Sequence, residues 1–440
     1  DYIAYCFHSV DGMSKIGSYV GNGSANGPTV VTGFRPAFEM VKASNGTTNW
    51  VIVDNKRGYG NNLSANTSLA EYLTVKGKGQ EIEFLSNGFK VNTYSSWTNG
   101  NNTNYIYMAF AEENVEPQPE LANSFNTVTY TGNGSTQAIN TVGFQPDLVW
   151  MKNRNSTQWH GLYDNVRGAG KWITSNATNA EADTAGTTLT SFNIDGFSLG
   201  DDTNGYGANT NNNTYVSWCW KASNESTINQ EGSITSVVSA NPASGFSVAK
   251  WTGNGTSGQS IGHGLSQAPE MIIQKRTNIA GDWECYHKDI GATKKILLNS
   301  TAAATTSSAF GNTSPTDSVS YAGAYTNTLI NYYFHSVDGY QKVGSYTGTG
   351  ASGNFQNIGF EPSFIMAKKT ATDSSYNHWM IVDNKRSPSG DLDDFLFANL
   401  SNAESAQGTN AGVTTQSNGF TPYGGMNNTV TYIYLAIKAN

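Results

Sequence analysis

Apolar and polar residues alternate with a period of two in short runs along the chain, and Gly- and Asn-rich breaks separate the runs. Tyr105-Ile106-Tyr107-Met108-Ala109-Phe110 is one such run. Tyr215-Val216-Ser217-Trp218-Cys219-Trp220, Asn331-Tyr332-Tyr333-Phe334 and Tyr432-Ile433-Tyr434-Leu435-Ala436-Ile437 are others. β-Branched and aromatic residues at that period predict half-buried strands. Each of these runs closes a longer unit. The unit opens on an aromatic followed by a glycine turn: Tyr19 before Gly21-Asn22-Gly23, Tyr130 before Gly132-Asn133-Gly134, Trp251 before Gly253-Asn254-Gly255 and Tyr346 before Gly348-Thr349-Gly350. Asn and Gly adopt positive φ at little cost, so each opening strand should end in a tight turn.

A second strand is entered through Gly33-Phe34-Arg35-Pro36, Gly143-Phe144-Gln145-Pro146 and Gly359-Phe360-Glu361-Pro362, and runs on to Lys42, Lys152 and Lys368. The third copy keeps Pro269 and Lys275 but has Gln267-Ala268 before the proline. Proline is tolerated at a strand entry, where no ladder bond is required. A third strand follows at residues 50–54, 159–164, 283–287 and 379–383, each read as starting on a tryptophan kept in register for a core.

The opening aromatics stand roughly one hundred residues apart, the size of a β-sandwich domain rather than a solenoid turn. The expected fold is therefore all-β: a tandem array of four antiparallel β-sandwich (jelly-roll-like) domains with very little helix. Boundaries fall at 11–111, 125–222, 246–337 and 338–440, with linkers at 112–124 and 223–245. The first contains Pro117 and Pro119 among acidic residues, and the second is rich in Ser, Asn and Glu. Tyr2 to Gly12 matches Leu329 to Gly339, including Phe-His-Ser-Val-Asp-Gly, so residues 1–10 read as the closing strand of a preceding repeat and the chain as a piece of a longer repeat protein. Single helical turns are expected at Ser68 to Glu71, Thr178 to Glu181 and Ser401 to Glu404. There a Ser or Thr precedes a Glu by three residues, as in a capping box; Ala304 stands at the matching place of the third unit.

Charged residues make up only 13% of the chain, about half the usual share, and the net charge is −8. No basic cluster offers a footprint for nucleic acid, and no apolar run is long enough for a membrane-spanning helix. Cys6, Cys219 and Cys285 fall in different units and read as small buried hydrophobes, which fits assembly in a reducing compartment.

Candidate chemistry is sparse. The six histidines show no paired spacing for zinc, and Asp201-Asp202 and Asp391 to Asp394 lack the full ligand series of a calcium loop. No catalytic residue, metal or cofactor is expected. Lys42, Lys152, Lys275 and Lys368 end second strands, and Asp54-Asn55, Asp164-Asn165 and Asp383-Asn384 end third strands. A buried carboxylate could support a Lys–Asn amide crosslink between them, although exposed charges at a hairpin end are the simpler expectation. Aromatics in Gly- and Asn-rich loops, Tyr59, Trp97, Tyr206 and Tyr423, are the surface candidates for stacking on sugars.

Taken together, the glycine turn, the GFxP strand, the tryptophan strand with Asp54-Asn55-Lys56-Arg57 and the later Asn87-Gly88-Phe89 and Asn418-Gly419-Phe420 resemble a known family. It is the tandem β-sandwich repeat, a domain of unknown function, of virion and tail-fibre proteins of marine bacteriophages, including cyanophages. The resemblance spans nearly the whole chain and carries no catalytic or ligand residues. It implies a non-enzymatic virion structural protein, a tail fibre or exterior appendage that spans distance and contacts the host surface. The expected location is the virion exterior. The expected partners are the chain itself, as a homo-oligomer such as a trimer, other virion proteins and a host surface glycan. An extracellular adhesin or filament subunit assembled by strand exchange is the alternative, and a polysaccharide depolymerase a third reading.

Overall fold

The computed structural model describes residues 3–10, 13–57, 61–73, 82–85, 87–93, 95–111, 123–184, 186–373, 376–388 and 390–438. The chain is all-β, with antiparallel sheets and no α-helix among the described residues. It divides into two compact units, residues 1–117 and 118–440.

One strand order recurs four times: opening, closing, second, third. In the first copy these are Ser14–Val20, Asn104–Ala111, Pro36–Ala43 and Val51–Asp54; in the second, Phe125–Thr131, Thr214–Trp220, Leu148–Asn153 and Gly161–Asp164. In the third they are Phe246–Thr252, Thr328–Phe334, Met271–Arg276 and Trp283–His287; in the fourth, Gln341–Thr347, Thr431–Ile437, Phe364–Lys369 and Met380–Asp383. The opening aromatic stacks on the tyrosine opposite it in the closing strand, with ring centroids 5.1 Å apart for Tyr19–Tyr105, 4.9 Å for Tyr130–Tyr215 and 4.8 Å for Tyr346–Tyr432. The glycine turns form as the sequence requires. Gly23, Gly134, Gly255 and Gly350 all take positive φ. A buried amide holds each turn: Asn99 accepts from Asn22 N, Asn209 from Asn133 N, Gln259 from Asn254 N and Asn427 from Thr349 N.

Each four-strand set turns one face toward a smaller sheet, such as Gln137–Ile139, Gly196–Leu199 and Leu189–Asn193 in the second copy. Val149, Met151 and Cys219 fill the space between those two layers. The other face carries Leu148, Trp150, Trp218 and Trp220, and it is buried as well. It packs with Met271, Ile273, Tyr332 and Phe334 of the third copy and with Phe364, Met366, Leu435 and Ile437 of the fourth. Three copies thus share one continuous core in addition to their own, where four self-contained sandwiches were expected. Period-two alternation normally leaves one face to solvent; here both residue sets are apolar and both are covered.

Four further expectations are corrected. Residues 223–245 are not a linker, because Thr227–Asn229 and Ser236–Asn241 extend the third sheet to eight strands. The capping-box segments form no helical turn; their glutamates are drawn instead to arginines. Trp159 is 43% exposed, and the place of Trp50, Trp283 and Trp379 is taken by His160. The backbone N–H of each of these four residues donates to an asparagine side chain later in the same repeat. Cys6 is exposed, while Cys219 and Cys285 are buried. The 112–124 linker lies almost wholly outside the described residues.

Candidate functional site

The shared core of residues 118–440 is closed by two sets of contacts that repeat around an axis and by a charged set present in two of the three copies. In the first set, backbone N–H groups donate from Glu181 to Thr277 O, from Ala304 to Thr370 O and from Glu404 to Arg154 O. Each bond runs from one copy to the next, and the third returns to the copy where the first began. In the second set Trp283 Nε1 donates to Thr174 O at 2.7 Å, Trp379 Nε1 to Leu297 O at 2.9 Å and His160 Nε2 to Phe397 O at 3.0 Å. Donors and acceptors occupy matching positions in the three sheets, so the copies are related by an approximate threefold rotation inside one polypeptide. A small closed cavity lies on that axis, lined by Trp150, Trp220, Ile273, Phe334, Met366 and Leu435 among others.

The third set is charged. Asp164 takes Arg167 Nε at 2.6 Å and the hydroxyl of Tyr332 from the third copy at 2.8 Å. Asp383 takes Arg386 Nε at 2.6 Å and Trp218 Nε1 from the second copy at 2.9 Å. All four acid and base side chains are essentially inaccessible. Arg167 continues to Glu181 and Arg386 to Glu404, and Glu404 also forms a two-pronged pair with Arg154. Such a pair tolerates burial only when every charge is matched and bonded. In the third copy the whole set is replaced at once. His287, Ile290 and Ala304 stand where Asp, Arg and Glu stand elsewhere, and Leu435, at the register of Trp218 and Tyr332, has no donor to offer. The signal for these sets was present in the sequence as Asp-x-x-Arg with a later Glu, but those glutamates had been assigned to caps.

His160 shows how the ring depends on protonation. Its Nδ1 accepts from Trp150 Nε1 at 2.8 Å, so its single proton sits on Nε2. A second proton would face the indole N–H. Burial, then the Lys152 charge, hold its pKa well below the usual value; burial also holds His263 at about 4. These histidines stay neutral when folded but take a proton near pH 6.5 when unfolded. Stability is therefore complete above that pH and falls as pH drops toward 4, by roughly 1.4 kcal/mol per pH unit for each histidine. Asp147, pushed up to about 6 mainly by burial, and Glu39 and Asp394, also raised by burial, act in the opposite direction, while His287, held at about 4 by burial, and His378, also lowered by burial, add to the loss. Thermal melts from pH 7 to pH 4 should show a falling midpoint; a flat profile would contradict the assignment.

Lys152, Lys275 and Lys368 are buried and bind backbone carbonyls: Asn153 O, Arg276 O and Thr301 O. Burial lowers them to about 7, 8 and 8. The proposed crosslink is ruled out by register. Asp164 pairs with Leu148, so Asn165 stands opposite Asp147, five residues and about 16 Å along the strand from Lys152. Asn165 instead donates to the Asp147 carboxylate.

The surface candidates differ from one another. Tyr59 lies outside the described residues. Trp97 is half-buried against the core of the first unit. Tyr423 is half-buried, and its hydroxyl donates to Gly408 O at 3.2 Å. It borders a polar groove of about 590 Å³ lined by Glu361, Asn384, Asp391 and Thr414 only through the neighbouring carboxylates, Asp391 among them, which with burial raise its pKa. Tyr206 contacts Trp172 at 4.7 Å, and Trp172 stacks on Trp159 at 5.4 Å and 28°. The exposed Trp159 thus stacks on Trp172, which Tyr206 meets at a tilt of 54°, so Trp159 lies at the surface and not in the core as expected from its strand. Among the described residues no three His, Cys, Asp or Glu side chains are grouped to hold a metal ion.

A family model matches residues 1–114 and 121–440, which include all four copies of the sheet. The chain belongs to the DUF7483 family. The family is described as a domain of unknown function. No curated protein matches the chain.

Proposed function

We propose that the chain is a non-enzymatic structural protein of a virion exterior, a bacteriophage tail fibre or related appendage that spans distance and presents loops to a host surface. The observation that supports this reading most is the threefold core made by one polypeptide. Three repeats locked around an axis form a stiff block, and a block of that kind suits a shaft under load better than three sandwiches on flexible linkers. Self-association and binding to other virion proteins belong to the same reading. Since one chain supplies the threefold of residues 118–440, copies would add to that block rather than create it.

Host contact is assigned to the loop aromatics, with Trp159 over Trp172 and Tyr206 as the leading glycan platform, because a flat exposed ring backed by a second ring stacks on a sugar face without reordering. The test is binding of labelled protein to intact marine bacteria before and after removal of surface glycans. Binding lost on stripping, and weakened about tenfold by Trp159→Ala, is expected. Binding that survives both treatments would sink the glycan assignment. Absence of binding to any host would move the protein to a spacer within the appendage.

A further inference from the structure

Within its own unit the first copy leaves uncovered the face that the other three bury. Ile106 is 44% exposed and Ile16 40%, and with Phe7, Met40, Trp50 and Met108 they line an open apolar pocket of about 590 Å³. By register these are axis-facing positions. Met40 and Met108 pair across the first sheet as Trp150 and Trp218, Ile273 and Tyr332, and Met366 and Leu435 do in the shared core. An apolar surface of this kind marks an interface.

We infer that the first repeat is the fourth-copy member of a second threefold block, and that its open face takes two further repeats of this fold, one of the second-copy kind and one of the third-copy kind. Two independent observations carry this. The first is the junction. His8 Nδ1 donates to Ser9 O, Ile16 N to Ser9 Oγ and Met13 N to Val10 O, and Val10 and Ser14 exchange backbone bonds. His335, Val343, Tyr340, Val337 and Gln341 make the same five bonds between the third and fourth copies. The entry to the first copy is therefore built as the entry from the third copy to the fourth, which marks the first copy as one of the fourth-copy kind.

The second observation is the chemistry of the face. Phe38, Met40, Trp50, Ile52, Asp54 and Arg57 reproduce Phe364, Met366, Trp379, Ile381, Asp383 and Arg386 in kind and order. Met108, like Leu435, has no proton to donate. The second and third copies differ from this set at most of these places. In the complete block Asp383 requires the Trp218 donor of a second-type neighbour, while Leu435 stands at the register opposite the uncharged His287 of a third-type neighbour. Three first repeats packed together would set Met108 against Asp54 three times and leave each carboxylate short of its donor. Self-trimerisation is thus the poorer solution, and the two different neighbours are the better one. This inference stands apart from the fibre reading.

The test is a repeat exchange within the 440-residue chain. Replacing residues 338–438 by residues 11–111 puts the first repeat in the fourth place. The exchanged chain should unfold in one cooperative transition with a midpoint within about 5 °C of the parent, and Trp50 should be shielded from acrylamide. Inserting residues 122–221 in the same place should lower the midpoint by more than about 10 °C or abolish folding, because Trp218 and Trp220 would be doubled at the axis. Sedimentation of the unaltered chain supplies the second readout, with its oligomeric state expected to be unchanged by Ile106→Asp. A first-repeat exchange that fails to fold overturns the proposal. So does a trimer of the unaltered chain that Ile106→Asp dissociates.

Discussion

Trp220→Ala should lower the stability of residues 118–440 by about 3–5 kcal/mol and the melting midpoint by on the order of 10 °C. Trp220 is 2% exposed and is the side chain through which the three copies meet. Its ring lies 4.9 Å from Phe125 in its own copy, 6.2 Å from Phe246 and from Phe334 in the third, and 5.9 Å from Phe364 in the fourth. Truncation removes a large apolar surface and leaves a hole that no single sheet can collapse into, because three sheets hold its walls. Phe110 occupies the same register in the first copy, where among the described residues its ring meets Phe7 and Phe38 and it is half-exposed. Phe110→Ala in the same chain should cost roughly 1 kcal/mol. Paired denaturant titrations followed by tryptophan fluorescence check both. Equal losses at the two sites would mean that the axis is no tighter than an open face.

Arg167→Leu should be comparably severe, with a loss of about 3–5 kcal/mol, for a different reason. The guanidinium satisfies Asp164, Leu162 O, Lys171 O and Glu181 at once, and its side chain is 1% exposed. Without it Asp164 keeps a buried charge with no cation beside it, met by the Tyr332 hydroxyl and the backbone N–H of residue 167. The third copy shows how the same place is built without charge. Adding Asp164→His, Glu181→Ala and Tyr332→Leu, with Arg167→Ile in place of Leu, copies the His287, Ile290, Ala304 and Leu435 arrangement into the second copy. That fourfold variant should recover most of the loss, since the uncharged solution leaves no unmatched charge. Recovery of less than a third of it, measured by chemical denaturation, would show that the charged and uncharged sets are not interchangeable.

These two results bear on how much could be read in advance. The strands, their order within a repeat and the glycine turns were legible, because period-two alternation, proline at strand entries and Gly-Asn-Gly are local signals with local causes. The aromatic pairs of opening and closing strands followed from the same register. The role of the Asp-x-x-Arg sets was not legible. Asp164 needs a hydroxyl 168 residues away and Asp383 an indole 165 residues away, and nothing near either residue announces those donors. Glu71, Glu181 and Glu404 fitted a capping box by spacing alone, and the long-range arginine contact won. Trp159 and His160 exchanged places for a related reason: a one-residue slip moves a side chain to the other face of a strand, and tryptophan alone does not say which face is core.

The sequence by itself determined the unit. Each hundred-residue stretch carries its own turns, its own sheet order and one apolar face that must be covered by the small sheet. Only the tertiary structure decided what becomes of the second apolar face. In the second, third and fourth copies it is closed by two neighbours around an axis; in the first it remains open. The reason is physical. Burial against a partner sheet has no periodicity of its own along the chain, so an alternating strand looks alike whether its outer face meets water, another repeat or another molecule, until the donors and charges on that face find their counterparts in space.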